Sequence, residues 1–156
     1  MRLLLAFVFV FNIHHAVAGD LTVPELRAMY YMALSDKRTA DKFMTIINEA
    51  KAESEPIFLC YKAMACMLKV RYSMNPYCKY TQFRKGVKLL EQAVQKDSNN
   101  AEIRFMRYCV QKNAPDFLGY NNHIESDRAF LTKSYNTIPD ADLRNKIKEY
   151  VFTKKE

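Results

Sequence analysis

Five prolines divide this chain, and each stands where an α-helix would begin or end. Pro24, Pro56, Pro76, Pro115 and Pro139 would each break a helix interior, because proline lacks the backbone donor and collides with the preceding turn. Between them apolar residues recur every three or four positions, the spacing of an amphipathic helix. Thr22-Val-Pro-Glu25 has the form of a capping box, with Thr22 as cap and Pro24 in the first turn. The helix it opens sets Leu26, Met29, Tyr30 and Ala33 on one face. A second is expected from Thr39-Ala40, using Phe43, Ile46, Ile47 and Ala50. Pro56 opens a third, IFLCYKAMACMLKVRY, which is apolar on most sides and therefore central.

Asn75-Pro76 breaks the chain before a fourth helix, TQFRKGVKLLEQAVQK, with Phe83, Val87, Leu90 and Val94 on one stripe. Asn99 or Asn100 caps a fifth, which ends at Ala114-Pro115-Asp116. Asn122 and Glu125 open a sixth, and Thr137 to Asp140 the last, to about Phe152. No segment alternates with period two between hairpin turns, so strands are not expected. About seven helices with short connections predict an all-α fold of antiparallel helical hairpins.

The first 18 residues stand apart. Arg2 precedes the apolar run LLLAFVFVF, and Ala16-Val17-Ala18 has the small residues of a cleavage site. That is the layout of a secretory signal peptide; the run is too short for an ordinary span of ~20 apolar residues. The alternative is an uncleaved N-terminal anchor. Cleavage would leave a single domain over residues 19–156, exported to the periplasm or secreted. Arg2 is the one charge in the leader; of 24 basic and 17 acidic side chains the remainder keeps 23 and 17, a net +6. Such a balance suits an acidic partner or anionic surface, and equally an ordinary soluble surface.

Gly86, Leu90, Ala93 and Ser98 are spaced four, three and five apart. The small residues admit a neighbouring helix, Leu90 fills the gap between them, and Asp97-Ser-Asn-Asn turns the chain. This resembles the second helix of a tetratricopeptide repeat, and Tyr61, Met64, Ala65 and Leu68 match its first helix. The chain departs from the family in two ways. The connection through Asn75-Pro76-Tyr77-Cys78 reads as about nine residues too long against the 34-residue period, and Ser98 replaces the usual proline. The next hairpin, Ala101 to Ser134, has the right length but puts Arg104, Arg107 and Tyr108 at positions where the motif has apolar or small residues. The resemblance implies a short TPR-like α-solenoid. Residues 101–130 also look like a family of uncharacterised exported bacterial proteins, which implies a helical fold and no established activity.

Several chemistries are excluded by count. His14 and His15 lie in the leader, leaving His123 as the only other imidazole, so a two-histidine zinc centre is not expected within one chain. His123 reads as an exposed first-turn residue with no activating arrangement around it. Gly86 and Gly119 cannot make a glycine-rich phosphate cradle. Cys60, Cys66, Cys78 and Cys109 lack CxxC spacing. They read as small core residues, with a Cys66–Cys109 disulfide geometrically conceivable. No catalytic residue, metal, cofactor or nucleic-acid partner is expected.

The arginines of the fifth helix pose the central question. Ile103, Met106, Cys109 and Val110 form its apolar stripe, while Arg104, Arg107, Tyr108 and Gln111 form a second at the same spacing. On the sixth helix Asp127 is flanked by Ile124, Phe130 and Leu131, so it faces inward, and an antiparallel hairpin brings it level with Arg107 and Tyr108. A carboxylate there needs a partner, which predicts an Asp127–Arg107 or Asp127–Arg104 ion pair assisted by Tyr108. Asp116 or Glu102 would serve the second arginine. An unserved guanidinium would point into a concave groove, making Arg104, Arg107, Tyr108 and Gln111 candidates for binding an envelope protein or peptide. The alternative is an enzyme acting on an envelope polymer or lipid through carboxylates and arginines. Arg144, Lys146 and Lys148 with Lys154 and Lys155 give the last helix a basic face, read as a solvated cap or as weak contact with an anionic surface.

Overall fold

The computed structural model describes residues 21–50 and 55–153. Residues 1–18, read above as a signal peptide, and the lysines Lys154 and Lys155 lie outside them. Seven α-helices and no strand are found among the described residues: α1 (Val23–Ala33), α2 (Lys37–Glu49), α3 (Pro56–Tyr72), α4 (Pro76–Lys96), α5 (Ala101–Asn113), α6 (Ile124–Ser134) and α7 (Ala141–Ile147). The chain is all-α.

The caps correct several expected boundaries. At α1 the Glu25 carboxylate accepts from the Thr22 backbone N–H at 2.8 Å and from its hydroxyl at 2.7 Å. Asp36 caps α2, accepting from the Thr39 N–H at 2.8 Å, so that helix starts at Lys37 rather than near Thr39. Asn75 accepts from the Tyr77 N–H at 2.9 Å, and Pro76 occupies the first helical position, where its missing donor costs nothing. Asn75-Pro76 is thus the start of α4, not a linker. Three residues join α3 to α4, and the expected nine-residue excess is absent. Asn100 caps α5, and Asp140 caps α7 by accepting from the Leu143 N–H at 2.9 Å. At α6 the cap position is His123, with no side-chain bond; Asn122 does not serve. After α7 the backbone continues as a π-helical turn, Lys148–Phe152.

Consecutive helices pack on one another, α1 on α2, α2 on α3, α3 on α4 and α5 on α6, while α3 also touches α1 and α5. The α3–α4 contact is the most extensive. Gly86 explains it: a Cβ there would lie 2.6 Å from Met67 Cε and 3.2 Å from Cys66 Cβ. The larger core joins Leu26, Phe43, Tyr61, Met64, Leu68 and Leu90 from the first four helices. A fully buried leucine such as Leu90 contributes about 1.5–3 kcal/mol by removal from water. A second core joins Phe105, Tyr108, Leu131, Ile138, Leu143 and Ile147. Helix α5 lies between the two cores, which is why it is buried on nearly every side.

Candidate functional site

Helix α6 delivers Asp127, fully buried, to the polar stripe of α5. Arg107 holds it with two parallel hydrogen bonds, Nε to Oδ2 and Nη2 to Oδ1, both 2.8 Å. Arg104 Nε donates to the same carboxylate, and Gln111 Nε2 donates to Oδ2 at 3.2 Å. Arg107 Nη1 turns the other way, to Glu91 of α4 at 2.9 Å, and the Tyr120 hydroxyl donates to that same Glu91. Arg104 also donates to the Ser126 carbonyl at 3.2 Å and lies over the Phe130 ring at 4.7 Å. Gln111 Oε1 accepts the His123 N–H at 2.8 Å, fixing the loop before α6. Burial disfavours the Arg107 charge, yet Asp127 and Glu91 more than offset it, so its pKa stands above the usual value.

Three of the four stripe residues therefore meet at Asp127. Tyr108 does not. It packs in the second core, edge-on to Tyr150 at 6.5 Å between ring centroids. Helical spacing alone does not distinguish a neighbour in the polar cluster from one on the adjoining apolar wall. The second anion is Glu91, not Asp116 or Glu102.

Glu102 belongs to another cluster. Arg27 of α1, 1% exposed, donates from Nε to Glu102 Oε1 at 2.8 Å and from Nη2 to Oε2 at 2.9 Å. It also meets Asp140 at 2.9 Å and Asp142 at 3.2 Å, and the Tyr61 hydroxyl donates to Glu102. Burial opposes the Arg27 charge, but Glu102 and Asp140 raise its pKa above the ordinary value. The Asp140 carboxyl is held below its ordinary range chiefly by Arg27 and by the Leu143 N–H. Arg27, Glu102 and Asp140 border a shallow recess of about 390 Å³. Its charges are spent on one another, which stitches α1 to α5 and α7.

The larger cavity, about 790 Å³, opens elsewhere. Helices α1, α3 and α5 present their C-terminal ends to it and α4 its N-terminal end, making a bowl. Tyr30 and Tyr31 come from α1 and Leu34 from its C-cap, Met67 and Val70 from α3, Tyr80 and Phe83 from α4, and Met106, Cys109 and Val110 from α5. Phe117 and Leu118 in the 3-10 turn Asp116–Leu118, with Tyr150 of the π-helical turn, form the rim. Phe117 is 86% exposed and Tyr80 54%, so aromatic surface continues out of the mouth. Arg71 and Lys79 are the charged lining residues; no carboxylate lines the bowl.

None of Arg104, Arg107, Tyr108 and Gln111 lines this bowl. The α5 stripe read as plain core, Met106, Cys109 and Val110, lines it instead. Asn113, on the lining, is committed, its Nδ2 donating to the Cys109 carbonyl at 2.7 Å and to the Tyr150 hydroxyl. All four cysteines are free thiols; Cys60 and Cys66 are buried, Cys78 and Cys109 half-buried. Burial raises the pKa of Cys60, Cys66 and Cys109 above the normal thiol value. His123 is exposed. Among the described residues no three His, Cys, Asp or Glu side chains converge as metal ligands, and no helix is long and apolar enough to cross a membrane. On the α7 face, Lys146 lies 4.0 Å over the Tyr31 ring and Arg144 donates to the Ile138 and Pro139 carbonyls.

No protein-family model, curated protein or solved structure matches this chain.

Proposed function

We propose that this chain is an exported, TPR-like helical binding module that works by capturing an apolar ligand group in the bowl. The observation that carries it is the cavity's lining: about 790 Å³ walled by aromatic, methionine and aliphatic side chains. Ligand sites of ~300–1,000 Å³ are built this way, with few polar groups to orient the guest. Methionines such as Met67 and Met106 adapt their shape to a guest more readily than branched residues do. The TPR-like reading is supported by the order of packing, since α3 touches both α1 and α5 while each pairs with its successor. The leader-like first 18 residues support export and an envelope partner. The enzyme alternative loses support because Asp127, Glu91, Glu102 and Asp140 are all engaged with arginines.

Binding of the neutral dye Nile red tests the reading. A blue-shifted emission that saturates at one dye per chain, and that disappears in Val70→Glu, is the expected result. A signal unaffected by that substitution would refute it.

A further inference from the structure

We infer that the bowl's occupant is a free single-chain anionic amphiphile, an alkyl chain ending in a carboxylate, with its head held by Arg71 and Lys79. The inference rests on the binding reading above and narrows it.

Charge complementarity gives the sign of the head. Arg71 at the end of α3 and Lys79 in the first turns of α4 both line the cavity, and both are exposed. No ion pair or hydrogen bond among the described residues engages either side chain. Every acidic group that could neutralise them is absent from the lining. The buried arginines Arg27 and Arg107 are each met by two or more carboxylates, whereas Arg71 at the mouth of the apolar cavity has no carboxylate among the lining residues. A carboxylate is the complement of either cation, and arginine can grip it with two donors.

The walls give the nature of the tail. A peptide threaded into the bowl in extended form would bring main-chain N–H and C=O groups into apolar surroundings, where each needs a partner. Asn113, the one carboxamide on the lining, has its Nδ2 already engaged by the Cys109 carbonyl and the Tyr150 hydroxyl. An alkyl chain makes no such demand.

Isothermal titration of the purified chain at mildly alkaline pH tests this, with dodecanoate, dodecyl maltoside and dodecyltrimethylammonium, each kept below its micelle concentration. Dodecanoate is expected to bind one per chain, most tightly of the three. Its affinity should fall about tenfold or more in Arg71→Gln/Lys79→Gln, as loss of charge-assisted bonds implies. The maltoside should bind wild type and variant alike. Circular dichroism verifies that the variant is folded, which its two exposed sites favour. Equal affinity for all three amphiphiles, or no loss in the variant, would overturn the carboxylate inference and leave the bowl reading standing. Failure of every amphiphile and of Nile red would end both. Two further outcomes also overturn it: binding to phosphatidylglycerol vesicles without binding of monomeric dodecanoate, which assigns the cations to a membrane surface, and displacement of Nile red by an apolar helical peptide but not by dodecanoate, which assigns the bowl to a protein.

Discussion

Arg107 and Asp127 face each other across the α5–α6 hairpin as two parallel hydrogen bonds, both 2.8 Å, with the carboxylate wholly out of water. Removing one charge leaves the others stranded, since Arg104 also donates to Asp127. Asp127→Asn is therefore expected to lower the free energy of unfolding by about 3–5 kcal/mol. Arg104→Glu should destabilise as well, because the new carboxylate would confront Asp127. Urea unfolding monitored by circular dichroism measures both. A stable, folded Asp127→Asn protein would show that the pair does not hold the hairpin.

Arg27 and Glu102 form the other buried pair, and a double-mutant cycle isolates their coupling. Arg27→Met leaves Glu102 with only the Tyr61 hydroxyl, and Glu102→Leu leaves Arg27 with Asp140 and Asp142 at its edge. Each single change should cost about 3–5 kcal/mol, whereas the double change removes both buried charges and should cost less than the sum of the two. Additive losses in chemical denaturation would mean that the two side chains act independently.

Acid should loosen the α1–α7 junction. Bonding to Arg27, the main cause, and to the Leu143 N–H holds the Asp140 carboxyl below its ordinary range, against the opposing effect of burial. A depressed carboxylate contributes stability that is complete above the unfolded-state pKa, ~3.9 for Asp, and is lost as pH falls through the lower folded value. The melting temperature of wild type is thus expected to be flat near neutrality and to drop below about pH 4. Asp140→Asn should start lower at neutral pH and fall less steeply. Parallel pH profiles for the two proteins would contradict this.

The helices were readable because prolines and capping residues mark their ends locally, and the inward side of Asp127 was readable from Ile124, Phe130 and Leu131 around it. What local pattern does not carry is the partner. Arg27 sits in a helix whose apolar face is ordinary, and its acids stand 75 to 115 positions away. Tyr108 shares a stripe with Arg104 and Arg107, yet α5 lies between two cores and the stripe straddles both environments. The bowl was hidden for the opposite reason. Met106, Cys109 and Val110 have the spacing of buried core, and a cavity wall has the same composition as a core, since both are apolar surfaces that a neighbour has either filled or left open. Asn75-Pro76 was ambiguous in a third way, because the same dipeptide that ends one helix caps the next.

Gly86 tests whether the α3–α4 spacing matters to the fold. In a helix interior alanine is favoured over glycine by about 1 kcal/mol, so Gly86→Ala would stabilise α4 if nothing lay opposite. Here the added methyl would meet Met67 Cε at 2.6 Å, Cys66 Cβ at 3.2 Å and the Ala63 carbonyl at 3.3 Å. The end of Met67 swings aside easily, but the Cys66 and Ala63 atoms are fixed to α3 and must retreat by tenths of an ångström. The two effects oppose each other, and Gly86→Ala should come out mildly destabilising, by at most ~1 kcal/mol. Gly86→Leu has no room to fill without parting the helices and should cost about 3 kcal/mol, the upper end of the usual overpacking range. Because Met67 also lines the bowl, the leucine variant should weaken Nile red binding along with stability. If Gly86→Leu melts at the wild-type temperature, the close approach of α3 and α4 is not what Gly86 secures.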